Sequence, residues 1–324
     1  MSNLMPKVPL AETEVSHTKF PYWTALRPHQ WSKNLIVFAA PLFAFSINLN
    51  SLIHSFLAFV LFCSISSSFY LLNDIADYKS DRNHPVKCKR PIASGLVPIP
   101  HALFMAGILF SSSLTISWSK FPTLGLILSG YALMQVAYNW RLKRIVILDI
   151  VVIALGFILR ACAGAAATNI PVSPWFLMCT AMLALYLGIE KRKAELRLSK
   201  IKDIKPRSVL SRYSLSLLTR KESTVTTGAV MSFALWSSGP FVNGASTPWM
   251  LLTLPLVIYG IFRYQLLSDP EEIVRRNGGN VDSGGKTERP EEVLLHDLPI
   301  LGTVVTWVIT CFVILLLKHQ GIIG

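Results

Sequence analysis

The sequence predicts an all-α polytopic membrane protein, a bundle of nine transmembrane helices. Three observations carry that expectation. Apolar residues make up 52% of the 324-residue chain and charged residues only 15%, whereas soluble domains carry about 25% charged residues. Apolar runs long enough for a helix of about 20 residues to cross a bilayer recur along the chain. Lysine and arginine are confined almost wholly to alternate connecting segments.

The runs lie near 35–50, 52–72, 101–118, 122–138, 146–168, 173–189, 224–243, 248–267 and 298–317. Pro41 interrupts the first, and Asn48 and Asn50 close it, so a tight turn joins it to the second. No alternation of apolar and polar residues suggests a β-barrel. The first twenty residues are mixed and polar, so no secretory signal peptide is expected. Four of the five cysteines fall in predicted spans and none forms a CxxC pair, which argues against a thiolate metal site or a disulfide framework.

Charge sets the orientation. Segments 1–34, 73–100, 139–145, 190–222 and 268–297 hold 27 of the 31 Lys and Arg residues. The segments on the other side hold only Lys120 and Lys318. The positive-inside rule then puts the N-terminus and these loops in the cytoplasm and residues 318–324 outside. The expected location is the cell (inner) membrane. The net charge of +13 is read as a topology signal that requires no nucleic acid, although membrane lipids and anionic substrates would both favour that face.

Segment 73–100 carries the chemistry. It opens Asn73-Asp74-Ile75-Ala76-Asp77-Tyr78-Lys79-Ser80-Asp81. At 100° per residue, Asn73, Asp77 and Asp81 form one helical stripe about 80° wide, with Asp74 at its edge. Clustered carboxylates are costly unless a positive charge sits among them. Such hard oxygen ligands suit Mg²⁺, which binds through one or two carboxylates plus substrate phosphates. Nearby Lys87, Lys89 and Arg90 complement a polyanion. The alternative is a solvated loop at a helix end.

Segment 138–149 holds Tyr138, Arg141, Lys143 and Arg144, then Asp149 at the start of the next span. A positive-inside hairpin is the plainer reading, but an acid entering a membrane helix is expensive. Arg160 lies on the same helix face, about 20° from Asp149. It serves either as a structural arginine bonded to carbonyls or as part of a site. Gly164-Ala165-Ala166-Ala167 offers a surface for close helix packing. The basic run from Lys191-Arg192-Lys193 to Lys205 and Arg207 reads mostly as a solvated cytoplasmic face, with its first members able to reach a phosphate. The glycine-rich loop 268–297 matches neither a P-loop nor a dinucleotide fingerprint.

The pattern Asn73-Asp74-x-x-Asp77-x-x-x-Asp81-Arg82, followed by Asn83, Pro85, Lys87, Arg90-Pro91, Ala93 and Gly95, resembles the first Asp-rich motif of the UbiA prenyltransferase superfamily. Tyr138 to Asp149 resembles the second motif, with a single acid where many members have two. Arg27-Pro28-His29-Gln30-Trp31-Ser32-Lys33-Asn34, Gly156-Phe157 with Arg160 to Thr168, Lys191-Arg192-x-Ala194-Glu195-Leu196 and Glu291 to Asp297 resemble one branch, the decaprenyl-phosphate phosphoribosyltransferases. The likeness runs from about residue 24 to 317, leaving residues 1–23 as an N-terminal tail.

This resemblance implies a nine-helix UbiA-type bundle and transfer of phosphoribose from phosphoribosyl diphosphate to a polyprenyl phosphate, with diphosphate leaving. It implies Mg²⁺ held by Asn73, Asp77 and Asp81. Asp74, Asp77, Asp81 and Asp149 are then the catalytic acids. Lys33, Arg82, Lys87, Arg90, Tyr138, Arg141, Lys143, Arg160 and Lys191 are the substrate-binding candidates, with Lys33 the candidate for the lipid phosphate. Two other readings stand beside it: a prenyltransferase alkylating an aromatic or tetrapyrrole acceptor, and a membrane transporter or scaffold. A homo-oligomer is left open.

Overall fold

Among the described residues helices carry the chain from Pro21 onward and no strand occurs. The computed structural model describes residues 20–46, 48–83, 87–201, 209–269, 271–272, 275, 293 and 296–323. The stretches 277–280 and 283–285, residues 1–19, Pro85, Lys205, Arg207, Glu291, Glu292, Leu294 and Leu295, which entered the sequence reading, lie outside these.

The α-helices are α1 (Pro21–Ala25), α2 (Ala39–Phe43), α3 (Leu49–Ala76), α4 (Tyr78–Arg82), α5 (Ile99–Lys120), α6 (Pro122–Trp140), α7 (Leu148–Thr168), α8 (Pro174–Ile201), α9 (Leu215–Ser237), α10 (Leu254–Leu267) and α11 (Leu298–His319). Helix starts are written locally. Pro122 and Pro174 open α6 and α8, where the first turn needs no N–H donor. Ser214 caps α9 by accepting from the Leu217 N–H, and Asp297 caps α11 by accepting from Ile300.

Five helical stretches are long and apolar enough to span a bilayer: α3, α5, α7, the run Pro248–Leu267 that ends in α10, and α11. The chain is therefore a multi-pass membrane protein. Helices α6, α8 and α9 cover three further predicted runs, with α8 and α9 carrying charged residues beyond the apolar portion. The first predicted run, 35–50, is not one helix. It is a 3₁₀ helix, Pro28–Phe38, followed by the five-residue α2. Pro41 has no N–H to offer the Val37 carbonyl, so one α-helix cannot run unbroken across the stretch, and Pro41 falls instead in the first turn of α2, where no donor is needed. Phe45, at φ +50°, then turns the chain into the left-handed region.

By contact density the chain divides into two units. The first comprises residues up to Pro28 and Ser67–Ile108. Its buried residues include Ala25, Phe69, Leu71, Ile92, Val97 and Ala102. Arg90 to Val97 folds as a tight turn: Ser94 donates to the Arg90 carbonyl at 2.8 Å and Val97 to Pro91 at 2.9 Å. Gly95 sits there at φ +84°, a conformation that favours glycine. The second unit comprises His29–Ser66 and Leu109–Gly324. One of its cores packs Tyr186, Ile189, Leu218, Ile261, Tyr264 and Ile300 together. Another is aromatic, with Phe43 edge-on to Trp236 at 4.8 Å and Met250 fully buried. A polar cavity of about 620 Å³, lined by Asn48, Ser51, His54 and Asn169 among others, lies at the N-terminal end of α3, the end away from Asn73.

Candidate active site

The acidic motif straddles a break in the chain. Asn73 and Asp74 occupy the last turn of α3, Asp77 links α3 to α4 and Asp81 lies in α4. The break does not scramble the register. Asp77 donates its N–H to the Asn73 carbonyl at 2.9 Å, and Asp81 donates to Asp77 at 2.8 Å. The i to i+4 ladder thus continues, and the stripe expected from the sequence survives the kink.

Cations from the same unit bracket this stripe. Arg90 Nη1 donates to Asp74 Oδ1 at 3.0 Å and to Asp81 Oδ2 at 2.6 Å. Arg27 Nη2 also donates to Asp74 Oδ1, and its guanidinium lies 5.2 Å from the Tyr70 ring centroid. Lys87 Nζ stands 4.0 Å from Asp81 Oδ1. Asp74 and Asp81 are 3% and 2% exposed, so both need these partners. Arg82, by contrast, bonds the Tyr78 hydroxyl at 3.1 Å and is exposed. It does not join the bracket.

Asn73 and Asp77 differ from their neighbours. The Asn73 Oδ1 is buried and has no hydrogen-bond partner. Asp77 is half-buried and forms no ion pair with any described residue. A buried acceptor without a donor is costly. An oxygen acceptor beside an open carboxylate is a donor set that fits a hard cation. Among the described residues no three acidic, histidine or cysteine side chains gather around one point, so such an ion needs further ligands from a substrate.

The second unit carries a different network. Asp149 is fully buried at the start of α7. Its Oδ1 accepts from the Tyr213 hydroxyl at 2.7 Å and its Oδ2 from Arg192 Nε at 2.8 Å. Arg192 Nη1 also donates to Glu195 at 2.5 Å. The Tyr213 hydroxyl accepts from the Ile147 N–H at 2.6 Å, where the backbone reaches φ +75°. A left-handed β-branched residue is strained, and this hydrogen bond holds it. Burial, and then the hydrogen bond to Asp149, push the Tyr213 hydroxyl up to about 12. Tyr138 and Lys143 are half-buried and Arg141 is exposed.

Next to Arg192 on α8, Lys193 bonds Glu190 at 2.7 Å and also bonds Glu222, which accepts from Gln265 at 3.0 Å. The expectation of a solvated basic face fails here: Arg192 and Lys193 are 3% and 6% exposed, because acids on α7, α8 and α9 neutralise them. Lys191, which precedes them, is half-buried. Glu190, Tyr213 and Glu222 were not singled out from the sequence, and Arg192 and Lys193 entered it as members of a basic run able to reach a phosphate. The available signal was the acid three residues from each cation, Glu190 to Lys193 and Arg192 to Glu195.

Lys33, on the 3₁₀ helix, bonds the Gln30 side chain. Arg160 is 6% exposed and contacts Asn34, Gly156 and Tyr131, none of them charged.

A family model for the UbiA prenyltransferase family matches residues 34–277. The chain belongs to that family. The UbiA likeness extends to solved structures: a UbiA homolog from Archaeoglobus fulgidus, bound to DMAPP and Mg²⁺, superposes with a TM-score of 0.65 over 90% of this chain and 98% of that one, at 18% identity. That likeness concerns the fold. Within the UbiA family the nearer sequence relatives are specific. The decaprenyl-phosphate phosphoribosyltransferase of Mycolicibacterium smegmatis is 36% identical, across 88% of this chain and 89% of that protein. Its namesake in Mycobacterium tuberculosis is 34% identical, across 88% and 91%.

Proposed function

We propose that this UbiA-family protein transfers 5-phosphoribose from phosphoribosyl diphosphate to a polyprenyl phosphate in the membrane. The observation that carries this reading is the identity of 36% to a decaprenyl-phosphate phosphoribosyltransferase over nearly the full length of both chains. The acidic motif supplies compatible chemistry. The bond between ribose C1 and the diphosphate oxygen breaks, and diphosphate leaves with that electron pair. A phosphate oxygen of the lipid forms the new bond to C1. The lipid phosphate is already anionic, so no strong general base is required.

Asn73 and Asp77 are the residues that would hold Mg²⁺, with Asp81 as a third ligand. Bound there, the ion would neutralise charge on the departing diphosphate. Arg90 and Lys87 grip phosphate oxygens, and because Arg90 already spans two carboxylates, its guanidinium is held ready for a bidentate contact. Asp74 keeps Arg27 and Arg90 in place. Asp149 acts through Arg192 and Tyr213, both of which it orients, and Lys191, Lys143, Arg141 and Tyr138 provide cationic and hydroxyl groups near that end of the bundle's second unit. Lys33 holds the lipid phosphate. The N-terminus and the acidic motif face the cytoplasm across a nine-span topology, an orientation supported by the distribution of Lys and Arg.

Purified full-length protein in lipid nanodiscs, given labelled phosphoribosyl diphosphate, Mg²⁺ and decaprenyl phosphate, is expected to move label into the lipid fraction. Label entering product only from a prenyl diphosphate, with an aromatic acceptor, would overturn the reading.

A further inference from the structure

Arg160 is a permanent cation buried in a membrane helix, and no carboxylate among the described residues neutralises it. Its charge rests on neutral partners. Nε donates to Asn34 Oδ1 at 2.6 Å, Nη1 to the Gly156 carbonyl at 2.8 Å and Nη2 to the Tyr131 hydroxyl at 3.2 Å. The rings of Tyr131, Phe62 and Phe157 lie 5.1, 5.4 and 5.6 Å from the guanidinium carbon, as cation–π contacts require. Only a planar fork with donors on several edges meets three such fixed acceptors at once.

Asn34 is the other half of the device. It is 1% exposed, and its Nδ2 faces Cys63 Sγ at 3.1 Å and Ser66 Oγ at 3.5 Å on α3. One amide therefore joins the 3₁₀ helix Pro28–Phe38 to both α3 and α7. A second contact repeats the attachment. A Cβ placed on Gly164 would lie 1.8 Å from the Val37 carbonyl oxygen, so that carbonyl rests directly against the glycine backbone. It is the carbonyl to which Pro41 can offer no α-helical donor.

The spacings of the two contacts match. Asn34 and Val37 are three residues apart on a helix with about 3 residues per turn and about 2 Å rise, so they share a face about 6 Å apart. Arg160 and Gly164 are four residues apart on an α-helix, also on one face and also about 6 Å apart. An α-helical segment at residues 34–37 would shorten the first spacing to about 4.5 Å and leave the two residues about 60° apart. We infer that Asn34–Arg160 and Val37–Gly164 form a two-point lock that fixes the depth and rotation of the 3₁₀ helix, and that Arg160 is a positioning residue acting through Asn34 on Lys33. This inference rests on the proposed role of Lys33 at the lipid phosphate.

Gly164→Ala tests the lock at the point that touches no side-chain function. Full-length variant in nanodiscs is expected to lose roughly 10–100-fold in kcat/KM for decaprenyl phosphate, since a displacement of about 1 Å can cost that much. The KM for phosphoribosyl diphosphate should stay within about threefold of wild type. Arg160→Lys should follow the same split. Gly107→Ala, where an added Cβ meets nothing within 4 Å, is the control and should match wild type. A readout independent of turnover is the acylation rate of Lys33, followed by peptide mass spectrometry. It should change severalfold in Gly164→Ala while that of Lys143 does not. Wild-type acceptor kinetics together with an unchanged Lys33 rate would overturn the lock, as would equal losses for donor and acceptor. Failure of the proposed function looks different: wild-type protein then moves no phosphoribose, and the Lys33 labelling rate alone decides.

Discussion

The Asp149–Arg192 pair allows a prediction worked from its surroundings. Both side chains are almost completely withdrawn from solvent, at 0% and 3% exposure, with 2.8 Å between Oδ2 and Nε. Removing one partner of a buried pair costs about 3–5 kcal/mol, because the survivor is left charged and unpaired. In Asp149→Asn the survivor is Arg192. It keeps Glu195 at 2.5 Å, and Glu195 is 17% exposed and so reaches more solvent. The Tyr213 hydroxyl still finds an acceptor in the asparagine oxygen. These retained contacts place the loss near the lower bound, about 3 kcal/mol. At about 2 °C per kcal/mol for a chain of this size, the melting point should fall by about 6 °C. The assay is thermal unfolding in a mild detergent, followed by tryptophan emission and by the fraction that stays monodisperse. Asp149→Asn combined with Arg192→Gln removes both charges, so the double variant should recover a large part of the loss, the interaction energy exceeding about 1 kcal/mol. Additive losses in the double variant, or an unchanged melting point for Asp149→Asn, would refute the pairing.

Four further outcomes follow from the same geometry. Asn73→Ala and Asp77→Ala should each lower kcat about 100-fold or more and raise the Mg²⁺ concentration needed for half-activation. Their melting points should stay at the wild-type value, because neither side chain carries an ion pair among the described residues. Arg90→Gln should raise the donor KM at least about tenfold by loss of a charge-assisted grip, whereas Arg82→Gln should leave it within about twofold, since Arg82 is stacked on Tyr78 and exposed. Steady-state kinetics with varied phosphoribosyl diphosphate separates the two. Tyr213→Phe should lower stability by about 1 kcal/mol, the usual net worth of one hydrogen bond. The Tyr213 hydroxyl is raised in the folded state from 10 to about 12. A raised folded value means that the unfolded chain ionises first, so the contribution is full below pH 10 and lost as the pH rises through 12. Melting curves of wild type and Tyr213→Phe should therefore converge across that window.

Much of the architecture was written in the apolar runs, because a helix that crosses lipid must be apolar along its whole length. The same logic located the acidic motif: four oxygen-bearing residues at helical spacing beside a membrane have no inexpensive structural explanation. Two things were not legible. The run 35–50 has span-like composition, yet Pro41 divides it into a 3₁₀ helix and a short α-helix. Hydropathy averages over a window and does not register one missing N–H. The burial of Arg192 and Lys193 was also hidden. A charge census places basic residues on one side of the membrane and says nothing of whether they meet water or acids. Two of their four acidic partners, Asp149 and Glu222, lie 43 and 29 residues away in sequence.

The structure also separates acids that look alike in sequence. Asp74, Asp81 and Asp149 are each buried and each already faces a guanidinium. Their charge is spent on placing arginines, and a metal ion arriving at any of them must first displace a cation of equal or similar reach. Among the described residues Asn73 and Asp77 carry no such partner, and the Asn73 oxygen finds no donor there. Under the proposed function, electrostatics would divide these acids by role: the neutralised ones would position Arg27, Arg90 and Arg192, and Asn73 with Asp77 would receive the ion. Asp81 lies between the classes, since Arg90 engages one of its oxygens closely and Lys87 reaches the other only at 4.0 Å. Movement of Lys87 to a substrate phosphate would free that second oxygen for the metal. On this argument, donor binding and completion of the metal site are one event, and Mg²⁺ affinity should rise when phosphoribosyl diphosphate is present.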